Sequence, residues 1–196
     1  TTGSSSSIKS ERRARVNLAN RISVFRLLLA PAVVASLLYY HPERDWLRFV
    51  ALGLFVVGIA SDALDGFLAR SQHQETELGT LLDPIADKAL ILSALISCSV
   101  IQGLPTWMRI PAWLNLLVIS RDILLITGSV VLFAIQGRWN VRPSRLGKWA
   151  TFAQMLVIPC VLLHLSLLKD PLIVIAAILT TLSAVSYVRM GIRVLS

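Results

Sequence analysis

Four aspartates lie in two short segments of the sequence, SDALDGFLAR at 61–70 and GTLLDPIADK at 79–88. They are Asp62, Asp65, Asp83 and Asp87. On a helix, residues three, four and seven positions apart share a face, so Gly66 and Ala69 join the first two aspartates on one face. Gly79 precedes the other two aspartates at steps of four, on one face of the next helix. The spacing predicts two helix faces that present carboxylates and small residues.

This arrangement can bind a divalent cation. Two carboxylates about 4 Å apart repel by about 4 kcal/mol at an effective dielectric of about 20, so either some are protonated or a cation lies among them. Carboxylate oxygens without His or Cys suit Mg²⁺, Mn²⁺ or Ca²⁺ rather than zinc. Because Mg²⁺ normally shares its ligands with phosphate oxygens, we expect a phosphate-bearing ligand that approaches across Gly66 and Ala69. Arg70 would complement a diphosphate there.

Each element of the pattern also has a purely structural interpretation. Asp83 before Pro84 is a good helix N-cap, with proline at the first helical position. Gly58, Asp62 and Gly66 follow at steps of four and could form a close packing seam between helices. The combination nevertheless favours a functional site, because four aspartates, two glycines and an arginine would each need a separate explanation.

The rest of the chain is too apolar for a water-soluble domain of its size. Hydrophobic residues make up 55% of the 196 residues, charged residues make up 15%, and the mean hydropathy is +0.70. These values predict an all-α integral membrane protein. The formal charge of +8 comes mostly from Lys and Arg between apolar segments, as in loops that face anionic lipid, so we expect no nucleic-acid partner.

Six apolar segments are each close to the roughly 20 residues that a membrane-spanning helix needs. They are approximately Ile22 to Tyr40, Trp46 to Phe67, Pro84 to Ile101, Pro111 to Ile135, Lys148 to Leu168 and Pro171 to Tyr187. Turn residues such as Gln102-Gly103 and Lys169-Asp170-Pro171 separate them. We therefore predict a single six-transmembrane-helix bundle over residues 20–196. Residues 1–19 would form a tail and a basic amphipathic juxtamembrane segment.

The distribution of Lys and Arg favours one orientation of this bundle. Most of these residues fall on the side that holds both termini and the loops after the second and fourth spans. The other side has Arg44, Arg48, Arg109 and Lys169. The positive-inside rule therefore places both termini and the aspartate segments on the cytoplasmic side of a bacterial cell membrane, or on the matrix side of the mitochondrial inner membrane.

The aspartate segments form a long gapped pattern, DxxDGxxAR at 62–70 followed after eight residues by GxxxDxxxD at 79–87. At every defining position this pattern resembles the signature of the CDP-alcohol phosphotransferases. The resemblance extends from about Asn20 to Gly191, and that family also has six membrane helices. The resemblance implies metal-dependent transfer of a phosphatidyl group from CDP-diacylglycerol to an alcohol, with release of CMP. It also implies that the enzyme contacts membrane lipids and forms a homodimer.

The resemblance also implies roles for individual residues. Asp62, Asp65 and Asp83 would hold one or two Mg²⁺ or Mn²⁺ ions. Asp87 would complete the cluster and act as the base that takes the proton of the acceptor hydroxyl. The residues that bind the nucleotide and its diphosphate would be Asp62, Gly66, Ala69, Arg70 and Gly79.

Later segments bear on the acceptor alcohol. ISRD at 119–122 and TTLSAVSYVRMG at 180–191 look more like cardiolipin synthases of this fold, whereas the phosphatidylglycerophosphate synthases usually carry basic residues at the positions of Ser129 and Ala150. We therefore favour phosphatidylglycerol as the acceptor, which would give cardiolipin and CMP. The alternative acceptor is glycerol 3-phosphate, because four basic residues remain available to bind its phosphate. These are Arg121, Arg142, Arg145 and Lys148.

Other interpretations stay open. Intramembrane carboxylates also mark ion-coupled transporters, but the sequence shows no repeat of the aspartate cluster, which lies at the ends of its spans. Arg121 and Asp122 could instead form a structural ion pair. Arg26 resembles a position of the family, or could extend its charge to the lipid headgroups. Trp107 and Tyr187 lie near span ends and are expected to be interface anchors.

Overall fold

The computed structural model describes the backbone at 25–72, 77–136 and 145–195, and side chains at 25–61, 88–130 and 145–192. The predicted juxtamembrane segment at 1–19 lies outside these ranges. Within them the regular elements are six α-helices and two short 3-10 helices, which confirms the all-α prediction for this part of the chain. The α-helices are α1 (Phe25–Leu38), α2 (Trp46–Gln72), α3 (Glu77–Val100), α4 (Ala112–Gln136), α5 (Arg145–Leu162) and α6 (Ser166–Leu195).

Two candidate membrane spans stand out by length and apolar composition among the described residues, Thr106–Val130 and Ser166–Ile192. Shorter apolar helical segments are Phe25–Leu38, Trp46–Ser61 and Lys88–Val100. As complete helices, α2 and α3 have 27 and 24 residues, which is enough to cross a hydrocarbon core of about 30 Å. The arrangement of six spans remains a prediction.

The helices form two compact units, Thr1–Ala94 and Leu95–Ser196. In the first unit, the buried residues of α1 recur at helical spacing and form its core face. They are Arg26, Leu29, Ala30, Val33 and Leu37. The connection to α2 is held by Asp45, whose carboxylate accepts hydrogen bonds from the Tyr40 hydroxyl at 3.2 Å and from Arg48 Nε at 2.9 Å.

In the second unit, α6 packs against α4 and α5. Polar contacts cross these interfaces along one face of α6. They pair Gln154 with Thr180, Arg121 with Ser183, and Ser129 with Tyr187, at 2.9, 3.1 and 3.0 Å. Because lipid offers no hydrogen-bond partners, such contacts contribute to helix association in a membrane and help to fix the register of α6.

The boundary between α5 and α6 differs from the prediction. The sequence suggested a fifth span that ends at Leu168, with a break at Lys169-Asp170-Pro171. Instead, α5 ends at Leu162 and α6 already begins at Ser166. Pro171 lies inside α6, in its second turn, where the ring removes a single helical hydrogen bond and the helix continues.

A Schellman motif ends α5. The His164 N–H donates to the Val161 carbonyl at 3.1 Å, and the Leu165 N–H donates to the Cys160 carbonyl at 3.0 Å. His164 adopts the left-handed conformation, with φ of 58°, which glycine usually fills. Its ring stacks on Trp107 with a centroid distance of 4.0 Å. The turn carries no glycine, so the sequence pattern did not reveal it.

Candidate active site

Both aspartate segments lie on continuous helices. Residues 62–70 belong to the last part of α2, which stays helical to Gln72. Residues 79–87 belong to the first part of α3. The helix thus extends beyond Phe67, where the predicted second span ended, and the helical spacing assumed for the motif is present in both segments. The side chains of 62–87 lie outside the part of the chain that the structure describes.

The start of α3 decides one of the structural alternatives. The helix begins at Glu77, six residues before Asp83. Asp83 is thus inside the helix, and its interpretation as an N-cap before Pro84 is wrong. Gly79, Asp83 and Asp87 consequently lie on a single helix at steps of four, as the metal-site interpretation requires.

The two motif helices come close together about one turn away from the aspartates. A Cβ placed on Gly58 of α2 would collide with the side chain of Leu90 on α3, and would lie 3.4 Å from Leu29 Cδ1 on α1. Gly58 and both leucines are buried. Gly58 lies one turn before Asp62, and Leu90 lies about one turn after Asp87. The glycine therefore allows a close approach of the two helices next to the motif.

The short connection then determines the relative direction of α2 and α3. From the contact at Gly58 and Leu90, α2 runs on to Gln72 and α3 runs back to Glu77, each over about 20 Å at a rise of about 1.5 Å per residue. Only residues 73–76 join them, so the two helices are antiparallel. Their aspartate segments lie beside each other between the contact and the connection.

We expect Gly58→Ala to lower the free energy of unfolding by about 1–3 kcal/mol, because the added methyl group overpacks a buried site where Leu90 is only 2% exposed. Gly53→Ala on the same helix is the matched control, since a Cβ there meets nothing within 4 Å. That change should stabilise the helix by up to about 1 kcal/mol. Thermal unfolding of both variants in one detergent measures the difference, and equal melting temperatures would contradict the close approach.

In the part of the chain with described side chains, no three or more His, Cys, Asp and Glu residues lie close enough to share a metal ion. Cys98 and Cys160 are buried and form no disulfide. A metal-site proposal for this protein therefore rests on the aspartate motif.

Arg121 is buried in a polar cluster between α4 and α6. Its Nη1 donates to Asp122 Oδ1 at 2.8 Å, and its Nη2 donates to Ser183 Oγ at 3.1 Å. The side chains of Arg121 and Asp122 are 6% and 10% exposed. The structural ion pair considered from the sequence is confirmed, while binding of the acceptor by Arg121 remains a prediction.

A substitution separates these two roles of Arg121. We expect Arg121→Met to lower the free energy of unfolding by about 3 kcal/mol, because it removes one partner of a buried ion pair. Ser183→Ala, which removes a single hydrogen bond to a charged group, should cost about 1.5 kcal/mol. Both values follow from unfolding in detergent. A stable Arg121→Met protein with a raised KM for the acceptor would instead identify a ligand-binding residue.

The first turn of α5 presents two exposed basic side chains, Arg145 and Lys148. Gly147 between them is buried, and the turn contains no acidic residue. The partial positive charge of the helix N-terminus adds to the two cations, which makes this surface suited to an anionic group. Arg142, the remaining candidate of this group, lies outside the described residues.

The two neutral positions used to choose the acceptor have packing roles. Ala150 is 0% exposed. The Ser129 hydroxyl donates to the Leu125 carbonyl at 2.6 Å and lies 3.0 Å from the Tyr187 hydroxyl. A Cβ on Gly128 would lie 2.6 Å from the Tyr187 ring, so this ring packs directly on α4. Packing and hydrogen bonding thus account for the neutral residues without reference to the acceptor's charge.

Two predictions about polar side chains at span ends are wrong. Tyr187 was expected to anchor the helix at the membrane interface, but it is 8% exposed and bonded within the bundle. Arg26 was considered able to reach the lipid headgroups, but it is 0% exposed. A side chain that extends to headgroups keeps its charged end accessible, so burial excludes that alternative for Arg26.

Comparison with known proteins places these features in a family. A family model described as CDP-alcohol phosphatidyltransferase matches residues 16–184, which include the whole aspartate motif. A protein of Mycobacterium tuberculosis named probable phosphatidylglycerophosphate synthase is 36% identical over 186 residues, which are 92% of this chain and 85% of that protein.

Two further relatives carry the name CDP-diacylglycerol--glycerol-3-phosphate 3-phosphatidyltransferase. The one from Haemophilus influenzae is 32% identical over 182 residues, which are 90% of this chain and 94% of the relative. The one from Cereibacter sphaeroides is 37% identical over 142 residues, 72% of this chain, and the match spans 61% of that relative's length. With most of its length matched by the family model and by these relatives, the chain belongs to the CDP-alcohol phosphatidyltransferase family, whose members are membrane-bound enzymes of phospholipid synthesis.

Proposed function

We propose that this protein transfers the phosphatidyl group of CDP-diacylglycerol to glycerol 3-phosphate and releases CMP. The observation that carries the proposal is the complete motif at 62–70 and 79–87 on two antiparallel helices, in a chain whose relatives are named for this reaction. The proposed acceptor, glycerol 3-phosphate, differs from phosphatidylglycerol, which the sequence patterns favoured. That preference depended partly on the neutral residues Ser129 and Ala150, for which packing inside the bundle is a sufficient explanation.

The donor set of the motif fits Mg²⁺ or Mn²⁺. Asp62, Asp65, Asp83 and Asp87 offer carboxylate oxygens alone, from two helices that approach closely at Gly58. One or two such ions, when bound, would neutralise charge on the diphosphate and on the CMP leaving group.

The motif residues would carry out an in-line displacement. The Asp87 carboxylate accepts the proton of the acceptor hydroxyl, and the hydroxyl oxygen attacks the lipid-side phosphorus of the diphosphate. The bond from that phosphorus to the bridging oxygen breaks, and CMP leaves with that oxygen. Arg70 holds the diphosphate, while Gly66 and Gly79, together with Ala69, leave room for the cytidine.

Arg145 and Lys148 are the residues proposed to bind the phosphate of the acceptor. Both are exposed at the N-terminus of α5, where charge and helix dipole act together. Arg121 is already engaged by Asp122 and Ser183, so we assign it a structural role.

Phosphatidylglycerol is the second candidate acceptor. The segments ISRD at 119–122 and TTLSAVSYVRMG at 180–191 favour it. Its phosphodiester is also an anion and could use the same two cations on α5.

We further propose that the site faces the cytoplasm of a bacterial cell. The relatives are bacterial, which supports a bacterial membrane. The excess of Lys and Arg on the side of both termini supports the cytoplasmic orientation.

The deciding experiment offers both acceptors to the purified protein with CDP-diacylglycerol and Mg²⁺ or Mn²⁺, and follows CMP release and the lipid products. Phosphatidylglycerophosphate formed from glycerol 3-phosphate would support the proposal. Cardiolipin formed from phosphatidylglycerol, with no product from glycerol 3-phosphate, would refute it in favour of the second candidate. Absence of CMP with either acceptor would also refute it.

A further inference from the structure

Five exposed residues form the outward face of α5, which changes from basic to apolar along the helix. They are Arg145, Lys148, Trp149, Phe152 and Leu156. Because these positions follow one another at steps of three and four, they share one side of the helix. The rings of Trp149 and Phe152 contact each other edge to face at a centroid distance of 6.0 Å, so the apolar part of the outward face is continuous.

The two cations of this face have no acidic partner among the residues with described side chains. The ion pairs found there belong to His41, Arg48 and Arg121. The first turn of α5 contains no acidic residue either. The exposed side chains of Arg145 and Lys148 are therefore available to an anionic group from outside the bundle.

The neighbouring helix α6 places a cation at the same level as the start of α5. The two helices pack together across the short turn at 163–165, so they are antiparallel, and the 2.9 Å hydrogen bond from Gln154 to Thr180 fixes their register. Nine residues before Gln154 lies Arg145, and nine residues after Thr180 lies the exposed Arg189. Exposed apolar side chains follow on both helices at deeper levels. This order marks the boundary between lipid headgroups and hydrocarbon.

The dimensions of the outward face match one leaflet of a bilayer. At a rise of about 1.5 Å per residue, Leu156 lies about 16 Å along the helix from Arg145. Half of the hydrocarbon core measures about 15 Å. A phospholipid whose phosphate contacts the two cations would lay an acyl chain along Phe152 and Leu156. Trp149 would then lie at the level of the lipid glycerol, where indole rings are enriched. Two unpaired cations favour a lipid with net negative charge over a zwitterionic lipid.

We propose that the outward face of α5 binds an anionic phospholipid with a terminal phosphate, which contacts Arg145 and Lys148. This inference rests on the proposed function, which assigns the same two cations to the phosphate of glycerol 3-phosphate. The transfer reaction joins that phosphate to a lipid, so the product needs an apolar surface for its acyl chains beside the cations. The outward face supplies this surface. A phospholipid bound here excludes glycerol 3-phosphate, and accumulated product therefore slows its own synthesis.

The test measures lipid binding without turnover. The protein is placed in phosphatidylcholine nanodiscs, and phosphatidic acid with brominated acyl chains is added at increasing mole fraction. Bromine quenches tryptophan fluorescence on contact, and subtraction of the signal of Trp149→Phe isolates the fluorescence of Trp149. We expect half of the maximal quenching at a mole fraction at least about 10-fold lower for brominated phosphatidic acid than for brominated phosphatidylcholine.

Charge variants, each measured with and without Trp149→Phe, test the role of the two cations. The double change Arg145→Gln and Lys148→Gln should abolish the difference between the two brominated lipids. Lys148→Gln alone should reduce it about 3-fold, and this variant decides if the double variant does not fold. Arg44→Gln is the matched control, since Arg44 is an exposed basic residue in the α1–α2 connection, and it should keep the full difference.

Three outcomes would overturn the proposal. Equal quenching by both lipids would show that the outward face contacts lipid without selecting the headgroup. A full difference in the double variant would place the phosphate elsewhere. Absence of quenching by either lipid would indicate that another protein surface, such as a second copy of the chain, covers this face.

Failure of the proposed function is distinguishable from failure of this inference. In a protein that releases CMP with glycerol 3-phosphate, addition of this acceptor should restore the fluorescence of Trp149 by displacing phosphatidic acid. No recovery in such a protein would overturn the shared site. A protein that releases no CMP with glycerol 3-phosphate, but keeps a lipid preference that depends on Arg145 and Lys148, would refute the proposed reaction and support the lipid-binding surface.

Discussion

Asp65→Asn is expected to reduce CMP release from CDP-diacylglycerol by at least about 10³-fold. The change keeps the size of the side chain and removes a negative charge from the proposed metal site. Metal ions in such sites contribute several kcal/mol to the stabilisation of charge in the transition state, and about 4 kcal/mol corresponds to this factor. A continuous assay of CMP release at saturating Mg²⁺ or Mn²⁺ measures the loss.

Asp170→Asn is the matched control for Asp65→Asn. Asp170 is exposed near the start of α6, outside the motif, so this variant should release CMP at the wild-type rate. Thermal stabilisation by Mn²⁺ provides a readout that does not depend on turnover, and it should disappear in Asp65→Asn alone. An Asp65→Asn enzyme with more than a tenth of wild-type activity would contradict a role for this carboxylate in metal binding.

The double change Arg145→Gln and Lys148→Gln is expected to raise the KM for glycerol 3-phosphate by about 10- to 100-fold. Each substitution removes a cation from the first turn of α5, where two charge-assisted contacts with a phosphate are proposed. A combined loss of about 1.4 to 2.8 kcal/mol corresponds to this range. The KM for CDP-diacylglycerol should remain within about twofold, because the donor is assigned to the motif on α2 and α3.

Arg189→Gln serves as the control for this pair, since Arg189 is an exposed basic residue on α6. It should leave both KM values unchanged. Steady-state kinetics over a range of glycerol 3-phosphate concentrations distinguishes the variants. An unchanged KM for glycerol 3-phosphate in the double variant would show that the acceptor phosphate binds elsewhere, and Arg142 would be the next residue to test.

Much of the helical architecture was predictable from the sequence. The start of α2 at Trp46 and the extent of α4 agree with the apolar segments, because uninterrupted apolar residues and flanking turn residues mark these helices directly. The break between α5 and α6 was misplaced. Proline and charged residues at 169–171 resembled a turn, whereas the real turn depends on backbone hydrogen bonds around His164.

The candidate site was predictable to a different degree for each residue. The aspartate motif could be identified because its spacing matches both a helical face and a family signature. The significance of Gly58 could not, because it depends on how closely Leu90 of another helix approaches. The neutral residues Ser129 and Ala150 were used to choose the acceptor, but their contacts with the bundle interior also account for them, and such contacts leave no trace in the local sequence.

The sequence by itself determined the membrane character of this protein and its helical class, and it supplied the motif for which the metal-dependent chemistry is proposed. These properties follow from composition and local spacing, which depend on neighbours along the chain. Only the tertiary structure decided that Arg26 is buried rather than at the lipid headgroups, and that Arg121 pairs with Asp122 and Ser183. The burial and partners of a charged side chain depend on residues distant in sequence, and packing alone brings these together.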